Sequence, residues 1–187
     1  AGVGSNPARI ALFKAKLPED IPAFTINKRC GSGLKAAMLI SDRVRLGDIH
    51  AGIAGGMESA SHVPYLLQDA RWGFRMGEKP AVDALHRDGF LCPMAGMLMG
   101  ATAEVLAEEN GISRREQDEY AAISHKKAIA AMKEGAFDKE IVPVTLKGKK
   151  GDTLFEADEI PREDATVEAL SKLPTVFKQQ GTVTAGS

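Results

Sequence analysis

"TINKRCGSGLKAA", residues 25–37, sets a cysteine between a short apolar run and an amphipathic stretch, with two glycines close behind it. The residues before it, "AFTIN" (23–27), read as a short strand. Those after it, 31–46, read as a helix, with Leu34, Ala37, Met38 and Ser41 on one side and Gly47 just past the end. Working outward, "SNPARIALFKAK" (5–16) reads as a helix capped by Ser5 or Asn6, with Pro7 at its first position and Ala8, Ala11, Leu12 and Ala15 on one face. "IHAGIAGG" (49–56) is a small apolar run suited to a buried strand. Residues 5–56 therefore alternate helix, strand, helix, strand, which favours an α/β fold with a largely parallel sheet.

The remaining chain sets bounds on this reading. Its 187 residues are enough for one domain with a core. A net charge of −1 gives no field for nucleic acid or an anionic membrane surface, and no apolar run approaches the ~20 residues of a membrane-spanning helix. Two cysteines cannot form a disulfide framework at this size, and a reducing compartment is the simpler reading. The chain opens on Ala1 and stops in "GTVTAGS", a strand cut short at a turn, so both ends read as cuts.

From about 60 to 100 the periodicity dissolves into glycines, prolines, methionines and scattered aromatics, a loop region with local structure. Residues 99–109 resume a helix with Met99, Ala103 and Leu106 on one face. "SRRE" (113–116) is a capping box opening a helix to about Glu134, with Gly135 as its stop. Residues 141–156 read as two strands around "KGKKGD", and "TVTAG" (182–186) as a last strand.

Three readings of Cys30 follow from the residues. It packs as a small hydrophobe, as isolated cysteines usually do. Or Gly31, Gly33 and Ala36 spell a G-x-G-x-x-A dinucleotide fingerprint, with Glu58 as the acid after the next strand, although Lys28, Arg29 and Cys30 stand between the apolar run and the first glycine. Or Cys30 is a nucleophile. Unpaired N–H groups and the positive end of the helix dipole favour a thiolate there. Gly31 and Gly33 remove side chains that would block a substrate, and a sharp strand-to-helix turn holds the sulfur outward. The Cys30 N–H is then a candidate oxyanion donor. Spacing does not choose between the last two.

"NKRCGSGLKAA" followed by "GIAGGMES" resembles the thiolase family, specifically the acetyl-CoA acetyltransferases. "NPAR" (6–9), "MGATAE" (99–104), "SRREQDEYA" (113–121), "EIVP" (140–143), "KGKKGD" (147–152), "DEIPR" (158–162) and "GTVTAG" (181–186) fit the family in its order across essentially the whole chain. The resemblance implies an α/β fold of two similar halves in α/β/α/β/α layers. On that template this chain is an internal piece of the first half. Residues 1–59 and 178–187 are then part of the first-half core, and 60–177 an inserted loop domain that contacts coenzyme A.

The resemblance makes Cys30 the nucleophile that takes the acyl group from an acyl-CoA. A second acyl-CoA then attacks that thioester in a Claisen condensation, or the reverse reaction cleaves a 3-ketoacyl-CoA. The general bases and a water-holding asparagine come from Gly-His-Pro, glycine-rich cysteine and Asn-Glu-Ala-Phe motifs that these residues do not contain, so this stretch alone is expected to be inactive. Met99 matches a position lining the pantetheine channel. Arg162 matches an arginine near the adenine and phosphate end of the coenzyme. Leu98 replaces a frequent histidine, Ala169 a serine and Ser187 an asparagine, which implies rearranged coenzyme contacts. Coenzyme A thioesters are substrates, so no cofactor and no metal is expected. The partners implied are acyl-CoA and coenzyme A, with no nucleic acid and no membrane, and a homodimer or homotetramer for the full-length protein, in the cytoplasm or an organellar matrix. A non-catalytic acyl-CoA-binding subunit and a dinucleotide-dependent dehydrogenase are the competing readings.

Of the four histidines, His125 reads as a solvated helix residue, and His50, His62 and His86 as structural or exposed. Cys92, in "FLCPMAG", lacks a glycine-rich setting and reads as a plain thiol.

Overall fold

The computed structural model describes residues 3–187. Two compact units follow one another along the chain, up to Leu91 and from Cys92 on.

In the first unit, helix α1 (Pro7–Lys14) starts where the sequence places it. The Asn6 side chain accepts the Arg9 N–H at 3.2 Å, and Pro7 occupies a first-turn position where no N–H is needed. Of the expected apolar face only Leu12 is buried. The segment after α1 is tied back to it by side chains. Asn6 Nδ2 donates to the Ala23 carbonyl at 3.1 Å, the Thr25 hydroxyl donates to Asn6 Oδ1 at 2.9 Å, and the Arg9 guanidinium donates to the carbonyls of Glu19 and Ile21.

Helix α2 (Ser32–Arg45) ends in a Schellman motif. The Asp48 N–H reaches the Arg43 carbonyl at 3.0 Å and the Gly47 N–H the Val44 carbonyl at 3.1 Å, with Gly47 at φ +77°. The expected stripe of Leu34, Ala37, Met38 and Ser41 is exposed, and Leu34 retains 72% of its surface. The half-buried positions are Ser32, Lys35, Ala36, Leu39 and Ile40, and Ile40 packs on Gly52 so closely that a methyl there would meet its Cδ1 at 2.7 Å. An apolar stripe is buried only where another layer covers it, and none of the described residues lies over this one.

The region expected to lose its periodicity does so. Between Ala60 and Leu91 run two short 3₁₀ turns (Ala60–His62, Ala70–Trp72) and a two-residue antiparallel pair of β1 (Tyr65–Leu66) with β2 (Val82–Asp83). A π-helical turn, Leu85–Phe90, follows. The boundary between the units falls within β3 (Leu91–Cys92).

In the second unit, β4 (Met97–Leu98) leads into α3 (Met99–Asn110), which ends at Gly111 in the left-handed conformation. Helix α4 (Arg114–Lys133) carries the expected capping box: Ser113 Oγ accepts the Glu116 N–H at 3.3 Å, and Glu116 Oε2 accepts the Ser113 N–H at 2.8 Å. The Ser113 hydroxyl, which donates to Glu116 Oε2 at 2.7 Å, and then the Ser113 N–H hold the Glu116 carboxyl below the ordinary glutamate range. Strands β5 (Val144–Leu146) and β6 (Thr153–Phe155) form the expected hairpin, closed at its neck by Lys147 and Asp152. Helix α5 (Val167–Leu170) is capped by Thr166.

The buried centre of this unit departs from the sequence reading. Met99 and Leu106, expected to face inward, are exposed, and α3 buries Glu104 and Ala107 instead. The Glu104 carboxylate accepts the N–H of Thr182 (2.8 and 3.0 Å), the N–H of Val183 (2.8 Å) and the Thr182 hydroxyl (3.2 Å). The segment 182–186, read as a strand, therefore gives its first N–H groups to a carboxylate, and among the described residues its one bridge joins Thr184 to Thr175. Two motif glycines make room. A methyl on Gly181 would sit 2.2 Å from Glu104 Oε1, and one on Gly100 2.1 Å from the Phe177 ring. A second buried carboxylate, Asp118, takes the Arg114 Nε at 2.9 Å, while Arg114 Nη2 donates to the carbonyls of Leu170 (2.5 Å) and Leu173 (3.1 Å).

Burial by itself would raise the Glu104 carboxyl. The bonds from Thr182 and Val183, with Lys178 nearby, outweigh it and hold the group below the usual range. A lowered folded value means that this contribution is complete above the ordinary glutamate value of about 4.3 and is lost as pH falls toward the folded one. Glu104→Gln is expected to destabilise the protein at neutral pH by about 1–3 kcal/mol and to reduce the fall in melting temperature below about pH 4.3. Thermal melts of both forms from neutral to acid pH check this.

Candidate active site

Cys30 is exposed and lies one residue ahead of Gly31, the N-cap of α2. The turn that carries it is wired on both sides. The Asn27 carboxamide oxygen accepts the Arg29 N–H at 2.9 Å, an Asx turn. Ser32 Oγ accepts the Lys28 N–H at 2.8 Å and donates to the Arg29 carbonyl at 2.7 Å. The N–H groups of Gly31 and Ser32 return to the carbonyls of Lys28 (3.1 Å) and Arg29 (3.0 Å). No described residue accepts a hydrogen bond from the Cys30 N–H. A side chain at Gly33 would meet nothing within 4 Å, so the space beside the helix start is open.

Arg29, immediately before the cysteine, has φ +54°. A non-glycine residue in the left-handed region costs on the order of 1–3 kcal/mol and persists only where its surroundings enforce it. Its guanidinium donates to the Asp88 carbonyl, to that of Gly89 at 3.1 Å and to that of Leu91 at 3.4 Å. The Asp88 and Gly89 carbonyls lie at the end of the π-helical turn, where backbone acceptors have no partner within the turn, and Leu91 follows it in β3. Sequence reasoning missed Arg29. The Asn27 turn was readable from residue type, but no local signal shows where an arginine side chain will land some 60 positions further on.

The other candidates lie elsewhere. Glu58, the acid of the dinucleotide reading, accepts the N–H of its neighbour Ser59 at 3.0 Å. His62 Nδ1 pairs with Ser59 Oγ at 2.7 Å, and no histidine bonds the Cys30 sulfur among the described residues. In the second unit, Met99 is the exposed first residue of α3. Arg162 lines an open groove of about 650 Å³ along α4, with Ile123, Lys126, Ile129, Lys133 and Val167; Met99 does not line it. Its Nε faces Asp164 at 3.4 Å, and its N–H donates to His125 Nδ1 at 3.2 Å. His125 is thus half-buried and bonded rather than solvated. Cys92 is half-buried, and its sulfur accepts the Ala95 N–H at 3.4 Å. Among the described residues no three His, Cys, Asp or Glu side chains converge as metal ligands, and no helix is long and apolar enough to cross a membrane.

A model of the thiolase N-terminal domain matches residues 1–187. The chain belongs to the thiolase family. It is 49% identical to an acetyl-CoA acetyltransferase of Pseudomonas aeruginosa and 48% identical to a probable acetyl-CoA acyltransferase of Staphylococcus aureus. Each match covers all of this chain and 48% of the relative. The solved acetyl-CoA acetyltransferase of Bacillus anthracis superposes with a TM-score of 0.90 at 39% identity, over 97% of this chain and 46% of that one. The acetyl-CoA acetyltransferase of Syntrophomonas wolfei gives 0.88 at 43%, over 99% and 46%. The chain therefore has the thiolase-like α/β fold and spans about half the length of the relatives it matches.

The two thiols differ in access, which makes them distinguishable. Iodoacetamide is expected to alkylate Cys30 several-fold faster than Cys92, read by peptide mass spectrometry after a short pulse. Equal or reversed labelling contradicts the placement of Cys30 on an open turn.

Proposed function

We propose that the protein carrying this chain is an acyl-CoA acyltransferase in which Cys30 is the nucleophile. The observation that carries this is the exposed cysteine on a hydrogen-bonded turn at the start of α2, with open space at Gly33 and a Cys30 N–H that no described residue accepts, in a member of the thiolase family. The Cys30 thiolate attacks the carbonyl carbon of an acyl-CoA. The carbonyl–sulfur bond to coenzyme A breaks, and the departing thiolate takes up a proton. The Cys30 N–H is placed to donate to the oxygen as charge builds on it. A second acetyl-CoA, deprotonated at its α-carbon, then attacks the new thioester. The carbon–carbon bond forms, and the Cys30 thiolate leaves.

Both proton transfers require general bases, and no histidine is bonded to Cys30 among the described residues. The bases are assigned to the part of the protein that matches the remaining half of its relatives. Coenzyme A thioesters are then substrates, and no cofactor or metal is required. In this reading, residues 1–59 and 178–187 belong to the catalytic core and 60–177 to a loop domain that binds the coenzyme. Met99 lines the pantetheine channel and Arg162 meets the adenine and phosphate end. The working protein is a homodimer or homotetramer.

In the complete protein, Cys30→Ser should lower acyl transfer by roughly 10³-fold or more and abolish the acyl adduct on the Cys30 peptide, while coenzyme A binding survives. Retention of the adduct or of turnover overturns the assignment. If the unsubstituted protein binds acetyl-CoA without turnover, it is a non-catalytic acyl-CoA-binding subunit. Arg162→Ala should raise KM for acetyl-CoA by about tenfold with kcat little changed, because the contact it removes is far from the reacting carbon. A fall in kcat at constant KM in steady-state kinetics contradicts that role.

A further inference from the structure

We propose that Arg29 is a positioning residue, whose side chain holds the backbone bend that presents Cys30. This rests on Cys30 being the nucleophile. Asn27 and Ser32 fix the turn locally, through bonds within five residues of one another. They leave open how the turn sits against the rest of its unit. Arg29 settles that: it sends its side chain out of the turn to the carbonyls of Asp88, Gly89 and Leu91.

The chemistry suits an arginine. A guanidinium offers five donors in a rigid fork and can serve several carbonyls at once, whereas an ammonium is a point donor on a flexible stem. Two of the acceptors, the carbonyls of Asp88 and Gly89, are orphans at the end of the π-helical turn, where the backbone dipoles leave partial negative charge. The neighbouring carboxylate does not draw Arg29 away, because Asp88 is engaged through its side chain by Arg87, with Nε to Oδ1 at 2.7 Å.

The clamp and the left-handed backbone occur in one residue, and its carbonyl belongs to the same peptide group as the Cys30 N–H. Losing the clamp lets φ of Arg29 relax toward the ordinary region. That swings the following peptide and moves both the sulfur and the N–H that meets the developing oxyanion. Errors of about 1 Å at a reacting atom cost up to ~10²-fold in rate.

The test uses the complete protein with three substitutions. Arg29→Leu removes the donors. Arg29→Gly removes them but accepts a positive φ without strain. Arg29→Lys keeps one charged donor. Single-turnover acylation by acetyl-CoA, its half-saturation concentration and the melting temperature are measured for each, beside Cys30→Ser.

The expected result is a fall of about 10–100-fold in the acylation rate for Arg29→Leu and Arg29→Gly, half-saturation within about twofold, a melting transition close to the parent's, and partial recovery in Arg29→Lys. Three outcomes overturn the proposal: an unchanged rate in Arg29→Leu, full activity in Arg29→Gly, or a rate loss in all three that tracks loss of folded protein. If Cys30→Ser retains acyl transfer, the nucleophile assignment fails and Arg29 falls with it. If Cys30→Ser is inactive and Arg29→Leu is not, only the Arg29 assignment fails.

Discussion

Backbone groups that find no ladder partner must be satisfied some other way, and this constraint shapes both units. The segments 23–27, 49–56 and 182–186 carry strand-like sequence, yet none of them forms a named strand among the described residues. At the first and last of these, side chains take over. Asn6 and Arg9 bind the carbonyls of residues 19, 21 and 23. Glu104 gathers the N–H groups of Thr182 and Val183, and Arg114 the carbonyls of Leu170 and Leu173. The donors or acceptors are mostly ionised, which makes each bond stronger than its neutral counterpart. Glu104 shows the balance: burial opposes its charge, and three bonds and a lysine more than offset that.

What was legible in the sequence was what local chemistry decides. Asn6 before Pro7, the Ser113–Glu116 box, the Gly47 and Gly135 stops and the turn between β5 and β6 depend on residues a few positions apart, and each falls where residue type puts it. The faces of the helices were not legible in the same way. On α3 the apolar periodicity pointed to Met99 and Leu106, whereas a glutamate is buried. Periodicity assumes that burial follows apolarity. It has no means of showing that a segment some 80 residues later needs an acceptor and that Gly181 opens the space for one. On α2 the stripe was read correctly as apolar, but what covers a stripe is a property of its surroundings.

The candidate site divides along the same line. Cys30 and its glycines are legible because the nucleophile reading asks for particular residue types at fixed spacing. His125 was misread as solvated because its partner, the Arg162 N–H, lies 37 positions away. Arg29 was passed over because neither its left-handed backbone nor the target of its side chain has a local signature.

The same polar bonds decide how Cys30 is held. A turn at a helix start normally inherits stiffness from the helix's packing. Helix α2 buries no residue, and Ile40, which closely approaches Gly52, lies nearly three turns beyond Cys30. Within these residues the position of the sulfur therefore rests on polar bonds: an Asx turn, a serine that both accepts and donates, and an arginine fork reaching the far end of the unit. Apolar packing is non-directional and tolerates small rotations. Hydrogen bonds weaken steeply with misalignment. A site held in this way is sharply defined while its bonds are intact. It is more sensitive to loss of one donor than to loss of one methyl group, which is why the residue before the cysteine matters as much to its geometry as the helix after it.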